Sequence, residues 1–463
     1  MTMFASHVAR LVHERFEALP GRSKPCVRGD GTREWVPMVG VVVVRGESAN
    51  EEIACVAVTS GAKCLPASQV SKCKGLVLHD WHAEVLALRA FNYWLLCQCR
   101  YAAEEPGAYV RRRTSPDADG PPFELNPDVR VYMYCTCAPC GDASMELCMA
   151  AQEDATPWDL IPSSSVSTGA GAEDGAEELL DGRGYFSRLG IVRRKPARAD
   201  AEATRSKSCS DKLALRQVSS LLSYETSLLV AVTENAYLEG IVLPETEITA
   251  VGYARCFGEE GRMAALKGRE WSGYRFRAFT VLSVPREEVD VLWAFGKEES
   301  TASLSLRSDK SSAGKSKPAV VSAVWVAAPE RDVSDGVKAL PKLCGVKTGL
   351  YETIINGVKQ GNRASEPMAR GASALSRARL WGLAREIVCG EKQGEGSVLR
   401  GIVEARSYRE FKKEATVLTG SLEQRKNAVR DAKAVLKGWT PNIRDEEWGL
   451  EVLVDPKKRK RGL

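Results

Sequence analysis

The chain opens on a helical rhythm. In "FASHVARLVHERF" (4–16), Phe4, Val8, Leu11, Val12 and Phe16 fall on one face, which predicts an amphipathic N-terminal helix. The rhythm then shortens. "MVGVVVV" (38–44) and "IACVAV" (53–58) are apolar runs of strand length, rich in β-branched residues that pack well on a pleated surface. A turn follows around Gly61, and a helix is predicted from near His82, with Val85, Leu86, Phe91, Trp94 and Leu95 on its buried side. "VRVYMY" (129–134) reads as another strand. It runs into "CTCAPCGDASMELCMAA", where Pro139 and Asp142 suit a helix start and Met145, Leu147 and Met149 continue it. Strand, strand, helix, strand, helix with short joints predicts an α/β fold, a sheet covered by helices. Apolar runs at 227–242, 276–284 and 319–327 and helical patterns at 373–389 and 405–437 enlarge it without a distinctive motif.

Three stretches interrupt the pattern and read as flexible surface insertions: 104–128, rich in Pro, Gly and charge; 162–184, small and acidic; and 297–318, rich in Ser and Lys. None separates two self-sufficient patterns and no repeat is visible, so residues 1–463 are expected to form one elaborated domain. With 44% hydrophobic and 27% charged residues, overall disorder is excluded. No run approaches the roughly 18 apolar residues of a membrane span. The N-terminus lacks the pattern of a secretory signal, and Glu14 argues against a mitochondrial transit peptide. Fourteen Cys without such a signal are expected as reduced thiols, most of them small core residues and a few available to hold metal.

Net charge is only +5, too little to imply a nucleic-acid partner, so the distribution matters more. Basic clusters stand at Arg111–Arg113, in "RRKPAR" (193–198) and in the C-terminal "PKKRKRGL" (456–463). Such clusters are first read as solvated faces. The last also reads as a nuclear import address, giving a nuclear or cytoplasmic protein.

Histidine is scarce: His7, His13, His79 and His82 are the whole set. His82 stands two residues from Glu84, at a helix start, with Asp80 ahead of it as a plausible cap. Cys140 likewise opens a helix straight after a strand, a position that favours thiolate. An imidazole and two thiolates form a catalytic zinc set with a fourth corner left for water, whose pKa zinc lowers towards roughly 7. A carboxylate beside the ligands can take and return protons, and Glu84 fits that role. Positions two apart on a regular helix diverge, but an earlier residue in cap geometry lets both side chains reach one site. The spacing H-x-E followed by P-C-x-x-C belongs to zinc nucleobase deaminases. Here "HAE" and Pro139–Cys140 are present, yet Ala143 stands where the second cysteine belongs. Cys137 and Cys209 can each supply it. Spacing favours Cys137, and the residues alone leave the choice open.

Taken together, "HAE", "YCTCAPCGDAS" and "SCSDK" resemble the adenosine deaminases that act on RNA, as do "TSGAKCLP" (59–66), "RLGIVRRKPARAD" (188–200) and "YRFRAF" (274–279) in order along the chain. The likeness is greatest to the eukaryotic tRNA-specific branch. It implies a cytidine-deaminase-like mixed sheet sandwiched by helices, elaborated as a single editase domain. It implies hydrolysis of adenosine to inosine in tRNA, just 3′ of the anticodon of an alanine tRNA. It assigns zinc to His82, Cys140 and Cys209 and proton transfer to Glu84. A loop base is reached at small cost because it is already unstacked. Lys63 is expected to meet a substrate phosphate, although Ala62 replaces the family's usual threonine before it. Arg193, Arg194 and Arg198 are further candidates for RNA contact. Relatives also enclose inositol hexakisphosphate, and by position Arg89, Lys212, Arg377, Tyr408 and Lys412 match its contacts. Leu88 and Leu215 replace two expected arginines, and Arg216 is the substitute candidate for the second.

Two other functions compete. One is editing of messenger or double-stranded RNA. The other is a zinc-stabilised RNA-binding protein without turnover, its metal closed by Cys137 as fourth ligand, which leaves Glu84 without work. No membrane and no obligate protein partner is implied.

Overall fold

Alternation along one strand explains the sheet. In β1 (Met38–Arg45), Val39, Val41 and Val43 enter a large core, while Met38 and Val42 enter a second core on the opposite face. A strand buried on both sides reads as an unbroken apolar run, as "MVGVVVV" does. The computed structural model describes residues 2–47, 50–103, 107–114, 120–151, 180–181, 188–195, 202–297, 316–329, 349–390, 398–418 and 420–454. Beside β1, β2 (Glu52–Ser60), β3 (Val129–Cys135), β4 (Leu238–Pro244), β5 (Thr280–Val284), β6 (Ser322–Ala327), β7 (Gly349–Ile355) and β8 (Val358–Lys359) complete a mixed sheet. Its order is β5-β4-β3-β1-β2-β6-β7-β8. β3, β4 and β5 run parallel, and the remaining neighbours pair antiparallel.

Helices cover both faces. α1 (Thr2–Glu17) buries Val8, Val12 and Phe16 in the second core. α2 (Ala83–Ala102) lies in the large core. α3 (Met145–Ala150), α4 (Cys209–Ser219), α5 (Tyr224–Ser227), α6 (Ala250–Phe257) and α7 (Arg286–Leu292) follow, then α8 (Arg377–Gly390), α9 (Val398–Val403), α10 (Tyr408–Leu418) and α11 (Gly420–Val435). Among the described residues no helix is long and apolar enough to cross a membrane.

In the sheet and its connections the structure departs from the sequence reading in several elements. Part of the 104–128 insertion is a ribbon, Val110–Arg112 paired with Phe123–Leu125, so its loop-like composition conceals a ladder. Of the 227–242 run only the end is strand, and Leu228, Leu229 and Val230 are buried outside any strand. β7 and β8 went unassigned. Insertion 297–318 is described only at its two ends, where Ser316–Pro318 pairs with Arg33–Trp35. Of 162–184 only 180–181 lies among the described residues, and the 456–463 tail lies outside them.

His13 shows how α1 is held. It is 3% exposed, and its Nε2 lies 2.8 Å from the Tyr134 hydroxyl on β3. Burial pulls its pKa down to about 4, so the imidazole is neutral in the fold. A depressed histidine pKa gives stability that is complete above the unfolded value and is lost as pH falls towards the folded one. Acidification from pH 6.5 to 4 should therefore cost the native chain about 3 kcal/mol more than it costs His13→Gln. Urea unfolding midpoints of the two proteins at both pH values check this.

Candidate active site

The imidazole of His82 is fixed by what surrounds the turn before α2. Gly61 has φ +154°, and a Cβ there would lie 2.0 Å from the Trp81 carbonyl oxygen, so only glycine allows the chain to pass. Around it, Ala83 N–H donates to Gly61 O (2.9 Å) and Trp81 N–H to Lys63 O (3.0 Å). His82 is itself the N-cap of α2, in extended conformation with φ −64° and ψ 147°. Asp80 is therefore not the cap. Its Oδ1 instead accepts from the His82 main-chain N–H (3.0 Å) and lies 3.0 Å from Nδ1, which is also 3.1 Å from Lys63 O. Two acceptors at Nδ1 set it as the N–H, so Nε2 keeps a lone pair for a metal.

Glu84 lies in the first turn behind it. The side chain is buried, and among the described residues its Oε2 has no hydrogen-bond partner. Burial and the neighbouring Cys140 sulfur push the carboxyl above its ordinary range.

The two cysteine segments are latched together. Ser208 caps α4 by accepting from Asp211 N–H (3.1 Å), which places Cys209 at the helix's first position. Ser210 reaches across: its N–H donates to Cys140 O (3.0 Å), and its hydroxyl accepts from Ala143 N–H (3.2 Å). Gly141, at φ +106°, makes room, because a Cβ there would meet Ser208 Oγ at 2.2 Å. As a result Cys140 Sγ accepts from Cys209 N–H at 3.4 Å and from the Cys209 thiol. These bonds hold Cys140 well below the usual thiol range. Cys137 differs. Burial, Glu247 and Glu84 raise it well above its ordinary value, which keeps it a thiol.

One lysine joins the halves. Lys195 is 5% exposed, with Nζ 2.9 Å from Asp80 Oδ2 and 3.4 Å from Cys209 Sγ. Burial alone raises Asp80, but Lys195, Lys212 and His82 more than reverse this and hold it well below the usual carboxylate range. The segment bearing Lys195 is docked by carboxylates two residues after each cysteine. Asp142 accepts from Gly190 N–H (2.9 Å) and Asp211 from Arg193 N–H (2.9 Å). Each also meets an arginine, Arg255 for Asp142 and Arg262 for Asp211. The sequence reading missed Lys195, Asp142 and Asp211, and the repeated Cys-x-Asp at 140 and 209 was the available signal.

A tautomer-fixed imidazole and a thiolate and thiol in contact are donors that zinc accepts, and the Glu84 carboxylate near them is left for proton transfer. Among the described residues the group whose ligand atoms all lie within 4.8 Å of one another is Cys73, His79 and Asp445; those of His82, Cys140 and Cys209 do not all come that close. Arg377 donates to both Asp445 and His79 (3.2 Å to the latter), so that corner already holds a positive charge. His79 is thereby a satisfied structural residue.

The adenosine-deaminase (editase) domain family matches residues 57–442. The chain belongs to this family. The tRNA-specific adenosine deaminase 1 of Schizosaccharomyces pombe is 31% identical over 445 residues, covering 95% of this chain and 96% of that protein. Its namesake from Saccharomyces cerevisiae is 31% identical across 51% of this chain and 58% of its own length. The double-stranded RNA-specific editase Adar of Drosophila melanogaster is 28% identical across 52% and 33%.

The remaining sites expected of this editase chain divide. Lys63 and Arg194 are half-buried and keep accessible surface. Arg193 does not: it is 1% exposed and its guanidinium donates to Arg188 O, so it offers nothing to RNA. A basic run in sequence had hidden a buried arginine. Arg198 lies outside the described residues. Arg89 and Arg216 lie near buried Glu225, which accepts from Tyr408 Oη at 2.6 Å, while Arg377 and Lys412 lie over the Tyr408 ring and pair with Asp445 and Glu446. Arg89 and Arg216 are deeply enclosed yet keep some accessible surface. Lys212 is turned instead towards Asp80 and Ser206, on the His82 side.

Proposed function

We propose that this chain hydrolyses adenosine to inosine in tRNA, with zinc held by His82, Cys140 and Cys209 and Glu84 as the proton carrier. The observation that carries the reading is the buried Glu84 Oε2, without a partner, beside the Cys140 sulfur and the His82 imidazole. When bound, zinc supplies a water acidified towards neutrality. The protein does the rest. Asp80 and the Lys63 carbonyl orient the imidazole. With zinc bound, the Lys195 ammonium, 3.4 Å from the Cys209 sulfur, would steady it as thiolate. Glu84 Oε2 takes a proton from the attacking water and returns it to the departing amino group at C6, so that water is consumed and ammonia released. Lys63 and Arg194 are placed to meet RNA phosphates.

The near end-to-end match to the S. pombe protein supports tRNA over long duplexes, against the partial match to the Drosophila editase. Within tRNA, we assign the adenosine 3′ of the alanine anticodon, in a single editase domain carried to the nucleus by "PKKRKR". For this basic cluster we propose a polyanion, inositol hexakisphosphate: Arg377 is paired with Asp445 and Lys412 with Glu446, but Arg89 and Arg216 are enclosed beside Glu225 and form no ion pair among the described residues. Incubating the zinc-loaded protein with unmodified alanine tRNA and with long RNA duplexes tests substrate choice. Inosine is expected in the tRNA, at the position after the anticodon. Inosine confined to duplexes supports the second reading, and retained zinc with no inosine on any RNA refutes catalysis.

A further inference from the structure

The chain ahead of β1 forms a hairpin that stands outside the eight-stranded sheet. Arg28 N–H donates to Thr32 O (2.9 Å) and Glu34 N–H to Cys26 O (3.0 Å). Gly31 takes φ +79° at the tip, where Asp30 Oδ1 accepts from Thr32 N–H (2.9 Å). Glu34 is buried, and its Oε1 accepts from Arg28 Nε (3.0 Å) and Nη2 (2.7 Å). Both bonds use one edge of the guanidinium, and the arginine side chain stays 36% exposed. Its direction is fixed while donors remain for a ligand.

The hairpin meets the active site through its exit. Pro37 O, three residues after Glu34, accepts from Gly61 N–H (3.1 Å), and Gly61 O accepts from Ala83 N–H at the start of α2. Lys63, whose carbonyl orients the His82 imidazole, keeps its ammonium close enough to Glu34 and Arg28 to feel both charges. A second segment braces the hairpin. Ser316–Pro318 runs parallel to Arg33–Trp35, with Lys317 opposite Glu34 in register and near Asp30. Arg33 is engaged by Ala294 O. Lys63, Arg28 and Lys317 thus stand against Glu34 and Asp30, which leaves net positive charge around one buried acid. The hairpin also precedes residue 57, where the match to the editase family begins.

We propose that the hairpin Cys26–Glu34 is a substrate arm, in which Arg28 meets the phosphate next to the one met by Lys63. This rests on the tRNA deaminase reading above and adds an element that the family match does not cover. The ligand is the single-stranded RNA backbone beside the target adenosine. Arg28 presents a planar donor group already held by Glu34, so it loses little freedom on meeting a phosphate. Glu34 is its positioning residue. Asp30, at the exposed tip, repels the same backbone and keeps binding below its limit.

Single-turnover deamination of unmodified alanine tRNA by the zinc-loaded full-length protein, at several salt concentrations, tests this. Rising enzyme concentration gives the half-saturating concentration and the limiting rate separately. The double variant Arg28→Gln/Glu34→Gln removes both members of the ion pair, so no buried charge loses its partner and net charge is unchanged. Its half-saturating concentration should rise about tenfold, with the limiting rate within about twofold of native. The slope of log affinity against log salt should shrink by about 0.7, the share of one single-strand phosphate contact. A purely structural role would lower the melting temperature and leave that slope alone. Asp30→Asn keeps the acceptor for Thr32 N–H, removes a negative charge and should lower the half-saturating concentration about threefold. Should the double variant fail to fold, Asp30→Asn decides, and an unchanged value there overturns the arm. Unchanged half-saturation and salt slope in a folded double variant likewise overturn the arm and leave tRNA deamination standing. A native chain that forms no inosine in tRNA overturns both.

Discussion

Glu84→Gln should lose inosine formation by roughly 10³-fold while its metal content stays that of the native protein. The substitution keeps size and hydrogen-bonding atoms but removes the exchangeable proton. In the fold the carboxyl is buried, with Oε2 unpartnered, and burial beside the Cys140 sulfur raises its affinity for a proton. That environment suits a group that must hold a proton briefly and release it. It is a poor environment for a structural carboxylate. The amide variant should therefore melt no lower than the native chain, since a buried partnerless acid becomes a neutral group. Single-turnover deamination, zinc analysis and a melting curve on one preparation separate the outcomes. Activity within a factor of a few of native removes Glu84 from the chemistry.

Lys195→Met should destabilise the fold by about 3 kcal/mol and weaken metal retention. Its ammonium contacts Asp80 and Cys209, and both partners are buried. Removing one member of a buried pair leaves the other charge without compensation. Lys212 and Ser206 still contact Asp80, which places the loss at the low end of the usual range. The sign with pH follows from Asp80, whose folded pKa is depressed: its contribution is complete above the unfolded carboxyl value and lost as pH falls through the folded one. The experiment thus belongs at neutral pH, where the acid is ionised in both states. A double-mutant cycle with Asp80→Asn should give strong coupling, the pair losing clearly less than the sum of the singles. Additive losses would show that the contact contributes nothing specific.

What could be read in the sequence was whatever obeys a local period. α1, β1, β2, α2 and β3 follow apolar spacing, and "HAE" before a helix placed His82 and Glu84 side by side. Even there, Asp80 was misjudged as a cap, because its role as an Nδ1 acceptor depends on the Lys63 turn folding back. Cys209 lies 69 residues beyond Cys140, and no local rule connects them; the contact is made by Ser210 hydrogen bonds that only the tertiary fold reveals. "RRKPAR" looked like a solvated face, yet Arg193 and Lys195 are interior. Composition reports charge and is blind to burial. One miss was avoidable. "TIINGVK" carries an Asn-Gly pair between alternating residues, and Asn356 and Gly357 adopt φ +51° and +79° in the tight turn joining β7 to β8.

The proposed chemistry needs an open zinc site with two sulfur ligands from distant segments. X-ray absorption at the zinc edge of the purified full-length protein measures that ligand set directly. Expected are two sulfurs at about 2.3 Å, one imidazole nitrogen at about 2.0 Å and one further oxygen. Three or four sulfurs, signifying a closed centre that recruits Cys137, or a protein that carries no zinc, would contradict it.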